Sequence, residues 1–203
     1  MALDTWLIYL VATLALSITP GPNTLLALTH GALYGQRKAL FTIAGGAVGF
    51  TLVVAFSMIG IGALLQTSAH FLTIMKWAGG AYLVWLGIQV WRSPPPVLDL
   101  QANAPIMHGG KLFKQGLISA VANPKAILFF SAFLPQFIDP QRSLFIQFVI
   151  MAATFVILEI ITEALIASLS FRVRGWLQRS GRRFNQTCGA TFVAIGGWLP
   201  LSR

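Results

Sequence analysis

Of 203 residues, 56% are hydrophobic and 9% are charged, whereas a soluble domain carries about 25% charged residues. With a mean hydropathy of +0.76 the chain cannot cover itself with a polar surface, which excludes a soluble globular domain and leaves an integral membrane protein. The net charge of +9 sits between apolar runs, where basic residues report orientation and give no reason to expect a nucleic-acid partner.

In chain order, the opening stretch Met1–Leu7 carries Asp4 and neither Lys nor Arg, and no small-x-small cleavage site follows. It therefore reads as a retained membrane helix and not as a signal peptide. Runs of about 20 apolar residues predict six segments: Thr5–Leu33, Leu40–Leu65, Phe71–Trp91, Leu112–Phe137, Ser143–Phe171 and Phe184–Leu201. The fold class expected is all-α and membrane-integral. Pro94-Pro95-Pro96 cannot continue a helix. This marks residues 92–111 as a linker between a first repeat, 1–91, and a second, 112–203.

The first segment is interrupted at Thr19-Pro20-Gly21-Pro22-Asn23. A helix over Trp6–Ile18 is about 20 Å long, short of a hydrocarbon core of about 30 Å. Segment one is therefore expected as two half-helices, the second capped by Asn23 or Thr24. Segment four repeats the device at Asn123-Pro124-Lys125, with Asn123 suited to the cap and Pro124 to the first helical position. A lone proline would read as a kink. Two breaks at corresponding depth instead suggest that exposed backbone lines a cavity. Three spans per half turn the second half upside down relative to the first, giving an inverted repeat with segments one and four broken near the midplane.

Half-helix N-termini meeting there would offer a positive, donor-rich pocket suited to a carboxylate. Lys125, in the first turn of a helix, opposes that dipole and calls for an anionic partner, unless it snorkels to an interface. Glu159 and Glu163, spaced i, i+4 with Ala152, Ala167 and Ser170 on the same face, are the candidates. Two adjacent carboxylates need not both be ionised, so one is a candidate proton carrier; a purely structural pairing with Lys125 is the plainer alternative. Gly31/Gly35 and Gly45/Gly49 read as sites of close helix packing. His30, His70 and His108 are scattered, and Cys188 is the single cysteine, so no intrachain disulfide forms.

Basic residues concentrate in connections one, three and five: Arg37 and Lys38; Arg92, Lys111 and Lys114; Arg172, Arg174, Arg179, Arg182 and Arg183. The positive-inside rule makes these loops cytoplasmic. Six simple spans then leave both termini outside, while a re-entrant first segment would place the N-terminus inside.

Thr19–Asn23 followed by Gly31, Gly35, Arg37, Gly45 and Gly49 resembles the signature of the LysE/RhtB amino-acid exporters. So do Gly80-Ala81-Tyr82-Leu83 with Gly87, Asn123-Pro124-Lys125 with Phe129-Phe130 and Gln136-Phe137, and Ala153-Thr154. The resemblance implies a bacterial inner-membrane protein that exports amino acids or close derivatives by proton exchange, with no cofactor beyond the proton. Carried onto this chain, it makes Pro20, Gly21, Pro22, Asn23, Asn123, Pro124 and Lys125 the core of a substrate site, with Thr24 beside them. Glu159 fits the family pattern and Glu163 departs from it. The ending Gly196-Gly197-Trp198-Leu199-Pro200 departs as well. Expected partners are an amino acid, membrane lipid and, with the oligomeric state open, further copies of the chain. The rival reading is a divalent-metal exporter of a related branch, which would need several hard oxygen or imidazole ligands. No metal site is expected. A second rival, a membrane-embedded enzyme, would need a nucleophile–base pair or metal triad; the sequence offers no evident histidine-based site, so an enzyme is not expected.

Overall fold

A computed structural model describes residues 1–65, 69–93, 107–139 and 141–198, and among these it is entirely helical. The helices are α1 (Leu3–Ile18), α2 (Pro22–Tyr34), α3 (Gln36–Leu65), α4 (Ala69–Arg92), α5 (Gly109–Val121), α6 (Pro124–Phe133), α7 (Leu144–Ser168) and α8 (Ser170–Trp198). A single 3₁₀ turn, Leu134–Phe137, extends α6. Two helices, over Gln36–Ile61 and Leu144–Ser168, are long and apolar enough to cross a membrane. The count is four if each bent pair forms one span.

Both expected breaks are present. α1 and α2 meet at 52°, and α5 meets the α6 unit at 44°. In each case proline starts the second helix, where its missing N–H costs nothing. The first cap differs from expectation. Gly21, in extended conformation, is the N-cap of α2 and no side chain caps it; Asn23 lies one position inside the helix and its amide is engaged elsewhere. Asn123 does cap α6, its side chain accepting from Lys125 N at 3.0 Å.

The helix contacts fix the relative directions. Gly45 and Gly49 of α3 press on the backbone of α5 near Phe113 and Leu117, and Gly116 of α5 presses on Thr42. The register advances together, so α3 and α5 are parallel and start at the same end. α1 and α2 both run alongside α7: Trp6 Nε1 donates to Thr154 Oγ1, and farther along Asn23 Nδ2 donates to Glu163 and Gly31 packs on Ala167. Segment one therefore bends and continues forward; it does not double back. α4 and α8 are antiparallel, with Gly87 against Gly189 and Gly80 against Gly196. The starts of α3, α5 and α8 and the end of α4 consequently share one end of the bundle, where Arg37, Lys38, Arg92, Lys111 and Lys114 lie.

One boundary is corrected. The last helix begins at Ser170, not Phe184, and runs as one helix through the basic stretch. Arg is a good helix former, so a run of charge there ended the apolar segment without ending the helix. At the edges of the expected 92–111 linker, Arg92 closes α4 and Gly109–Lys111 open α5. Pro94-Pro95-Pro96, Leu199, Pro200 and Arg203 lie outside the described residues.

The core is aromatic. Phe129, Phe130, Phe133 and Phe137 stack edge-to-face or tilted on one another and on Tyr9, Phe155 and Phe192, anchoring α6 between α1, α7 and α8. Tyr9 Oη donates to Met151 O at 2.9 Å, satisfying the one polar atom that its burial strands. Large apolar side chains such as Phe56, Phe145, Ile146 and Leu165 face outward, as a lipid-facing surface requires.

Gly35 closes α2 at φ 80°, ψ 164°, a region open essentially to glycine alone. A Cβ there would meet nothing within 4 Å, so only the backbone conformation is at stake. Gly35→Ala is expected to lower stability by about 1–3 kcal/mol. Gly60→Ala, in open space inside α3, is expected to be neutral or mildly stabilising. Thermal unfolding of the detergent-solubilised pair checks the contrast.

Candidate functional site

The two breaks meet through one side chain. Lys125 Nζ donates to Leu16 O at 2.9 Å and to Thr19 O at 2.8 Å. Both acceptors exist because of the sequence at the break. The carbonyl of Leu16 would ordinarily accept from the N–H four residues on, but that residue is Pro20, which has none. Thr19 O lies past the end of α1 and before α2 starts. An ammonium at this point fills the free carbonyls of a helix C-terminus, and its charge suits the negative end of the helix dipole. Gly21 makes room for it: a Cβ on Gly21 would sit 3.0 Å from Nζ.

This corrects the expected pairing. Among the described residues Lys125 makes no ion pair with Glu159 or Glu163; the single ion pair is the surface contact of Arg142 with Asp139 at 3.1 Å. Lys125 still feels the charge of both glutamates, so it neutralises them across the site while its hydrogen bonds go to backbone.

The glutamates lie on α7, 4% and 1% exposed. Glu163 Oε1 accepts from Asn23 Nδ2 at 2.6 Å, which locks the start of α2 onto α7. Glu159 lies beside Ser17 and close enough to Glu163 for the two carboxyls to act on each other. Asn23 is positioned in turn by Gly46 of α3, where a Cβ would come 2.5 Å from Nδ2. Buried Cys188 of α8 approaches Thr19 from the other side. Thr19 itself is tied back, its Oγ1 donating to Ala15 O at 2.6 Å.

The structure thus gathers Gly21, Asn23, Asn123, Lys125, Glu159 and Glu163 into one cluster where α1, α2, α6 and α7 converge. Thr24 follows Asn23 as a buried residue, and Pro20 is partly buried. Pro22 and Pro124 are exposed; they shape the backbone without lining the enclosed cluster. Ser17, Gly46 and Cys188 were not legible as members. Ser17 stands two residues before the Thr19–Asn23 motif in an ordinary helical run, and Gly46 sits beside two glycines whose role is packing. His30 is buried but apart from the cluster, with Nδ1 2.7 Å from Thr42 Oγ1, and serves to hold α2 on α3.

Chemically, the cluster brings together one partly buried cation, two buried carboxyl groups and two buried oxygens that accept no hydrogen bond.

Comparisons with known proteins give the family. A family model described as LysE type translocator matches residues 14–202. The chain is 33% identical over 205 residues to the homoserine/homoserine lactone efflux protein of Salmonella typhimurium, covering 100% of this chain and 99% of that protein. It is 35% identical over 205 residues to an uncharacterized membrane protein of Vibrio cholerae, covering 100% of each. The leucine efflux protein of Klebsiella pneumoniae is 30% identical over 201 residues, covering 96% of this chain and 93% of that protein. No solved structure matches. With an all-helical membrane architecture and a family match running nearly end to end, the chain belongs to the LysE type translocators.

Proposed function

We propose that this translocator exports small neutral amino acids, such as threonine, homoserine or leucine, from the bacterial cytoplasm across the inner membrane by proton antiport. It works without a cofactor and catalyses no covalent reaction. The observation that carries the reading is the enclosed pair Glu159/Glu163, bonded through Asn23 to one helix break and balanced by Lys125 from the other. Intramembrane charge is expensive and marks transport or proton pathways.

The membrane arrangement follows from the same source. Six spans as two inverted repeats, 1–91 and 112–203 joined by the 92–111 linker, are supported by the two proline-started breaks. The reciprocal contact of Gly87 with Gly189 supports them too, each abutting the other's carbonyl. Self-complementary contact of this sort is what a two-fold axis generates. Basic residues gathered at one end of the bundle support a cytoplasmic side for loops one, three and five, and a forward-running segment one favours an N-terminus outside over one inside.

In the transport step, the substrate's carboxylate would face the N-termini of α2 and α6, each worth about half a positive charge. Its ammonium would compete with a proton for the glutamates. Proton entry from outside then releases the amine, and amine binding inside releases the proton. The divalent-metal reading has less support: among the described residues, no group of three or more His, Cys, Asp or Glu side chains could hold such an ion.

The test is efflux from proteoliposomes loaded with threonine, homoserine, leucine or lysine. An inward proton gradient is expected to accelerate release of one or more neutral amino acids and to leave lysine unmoved. Flux indifferent to the gradient would refute antiport; the absence of flux for all of them would refute amino-acid export.

A further inference from the structure

Two buried oxygens beside the glutamates accept no hydrogen bond: Ser17 Oγ and Asn23 Oδ1. The residues are 0% and 1% exposed. Buried polar atoms in folded proteins are overwhelmingly paired, and orphans flag an absent partner. Ser17 has its hydroxyl turned to Glu159, to which it can only donate. Asn23 has committed its Nδ2 to Glu163, and Lys125 has committed two of its three N–H groups to Leu16 O and Thr19 O. What the cluster lacks is donors, and its unfilled sites are oxygens: a hydroxyl and an amide carbonyl, next to the two carboxyl groups.

We infer that Ser17 Oγ, Asn23 Oδ1 and the Glu159/Glu163 pair form the seat of the substrate's primary ammonium group, and that Lys125 is a positioning residue that shapes this seat from the break. An alkylammonium brings three N–H donors in a compact head, matching a hydroxyl, an amide oxygen and a carboxylate. Gly46 is part of the device, since a side chain there would push Asn23 off Glu163 and turn its oxygen away. The inference rests on the amino-acid export reading and sharpens it: recognition centres on the amine, so the carboxylate is dispensable. The ligand class becomes primary amines of amino-acid size with uncharged side chains, including those whose carboxyl group is blocked as an ester.

The experiment uses the full-length protein in liposomes with labelled homoserine as substrate and two competitors. The homoserine methyl ester keeps the amine and lacks the carboxylate; N-acetylhomoserine does the reverse. The ester is expected to compete within about 10-fold of homoserine, and the N-acetyl compound to be at least about 100-fold weaker, as for sites whose buried polar groups are left unpaired by an analogue. Ser17→Ala is expected to raise the half-saturating homoserine concentration about 10-fold with little change in maximal rate. Equal competition by N-acetylhomoserine would overturn the inference. So would a Ser17→Ala variant that alters sodium dependence and leaves amine affinity alone, since the seat would then be for an inorganic cation. Wild-type protein that moves no amino acid would refute the export reading, and the seat is then tested by melting-temperature shifts in detergent with the same compounds. A shift specific to the free amines upholds it, and no such specificity overturns it.

Discussion

Lys125→Met is expected to cost about 2–4 kcal/mol of stability, chiefly through the two backbone carbonyls it leaves without a donor. The substitution keeps most of the stem and deletes the ammonium. Leu16 O and Thr19 O lose their donor, each left at about 1–3 kcal/mol if it stays buried and unpaired, and the two glutamates lose the cation that offsets them. Lys125→Arg is not expected to rescue the variant, because a guanidinium is broader and planar and the ammonium already lies against Gly21. Lys125→Met combined with Glu159→Gln restores charge balance and is expected to recover part of the loss, leaving the cost of the two carbonyls. Reversible unfolding in detergent measures all three variants. A Lys125→Met protein as stable as wild type, altered only in half-saturating substrate concentration, would show that Lys125 is a substrate ligand and not the pin of the break.

That prediction depends on a contact that no local reading of the chain contains. The breaks themselves were legible, because proline and glycine act on their own backbone: Pro20 removes a donor, Pro22 and Pro124 start helices, and Asn123 caps one. Periodicity likewise put Glu159 and Glu163 on the buried face of α7. The partners of these groups are set by packing. Lys125 reaches carbonyls more than a hundred positions earlier in the chain, and helix-dipole reasoning within its own segment pointed it toward the glutamates instead. Asn23 suits a cap by residue type, yet Gly21 takes the cap and Asn23 turns to Glu163. Ser17 has no local signal at all; its importance comes from a buried oxygen that accepts no hydrogen bond in the folded protein, which is a property of the assembled helices. The parallel contact of α3 with α5 was similarly out of reach, although the glycines that permit it were marked as packing sites.

Glu163→Gln and Glu159→Gln are each expected to abolish export against a gradient while leaving the protein folded. Charge counting gives the reason. The enclosed cluster holds one lysine cation and two carboxyls, and burying an uncompensated negative charge is costly. One further positive charge, a proton or a substrate ammonium, makes the cluster neutral, and competition for that single place couples the two flows. Glutamine at either position removes one carboxylate, so Lys125 and the remaining glutamate already balance and neither proton nor amine is required. Asn23 Nδ2 can still donate to a glutamine Oε1 at 163, so α2 keeps its hold on α7. Loss of a charged partner for the ammonium, worth about 1.5–3 kcal/mol in hydrogen bonding, is expected to reduce amine affinity roughly 10- to 100-fold. Uphill efflux should vanish under an imposed proton gradient, and proton movement stimulated by added homoserine, followed with a trapped pH dye, should vanish with it. Both variants exporting normally against a gradient would refute coupling through this pair, whereas one doing so would assign the exchange to the other glutamate alone.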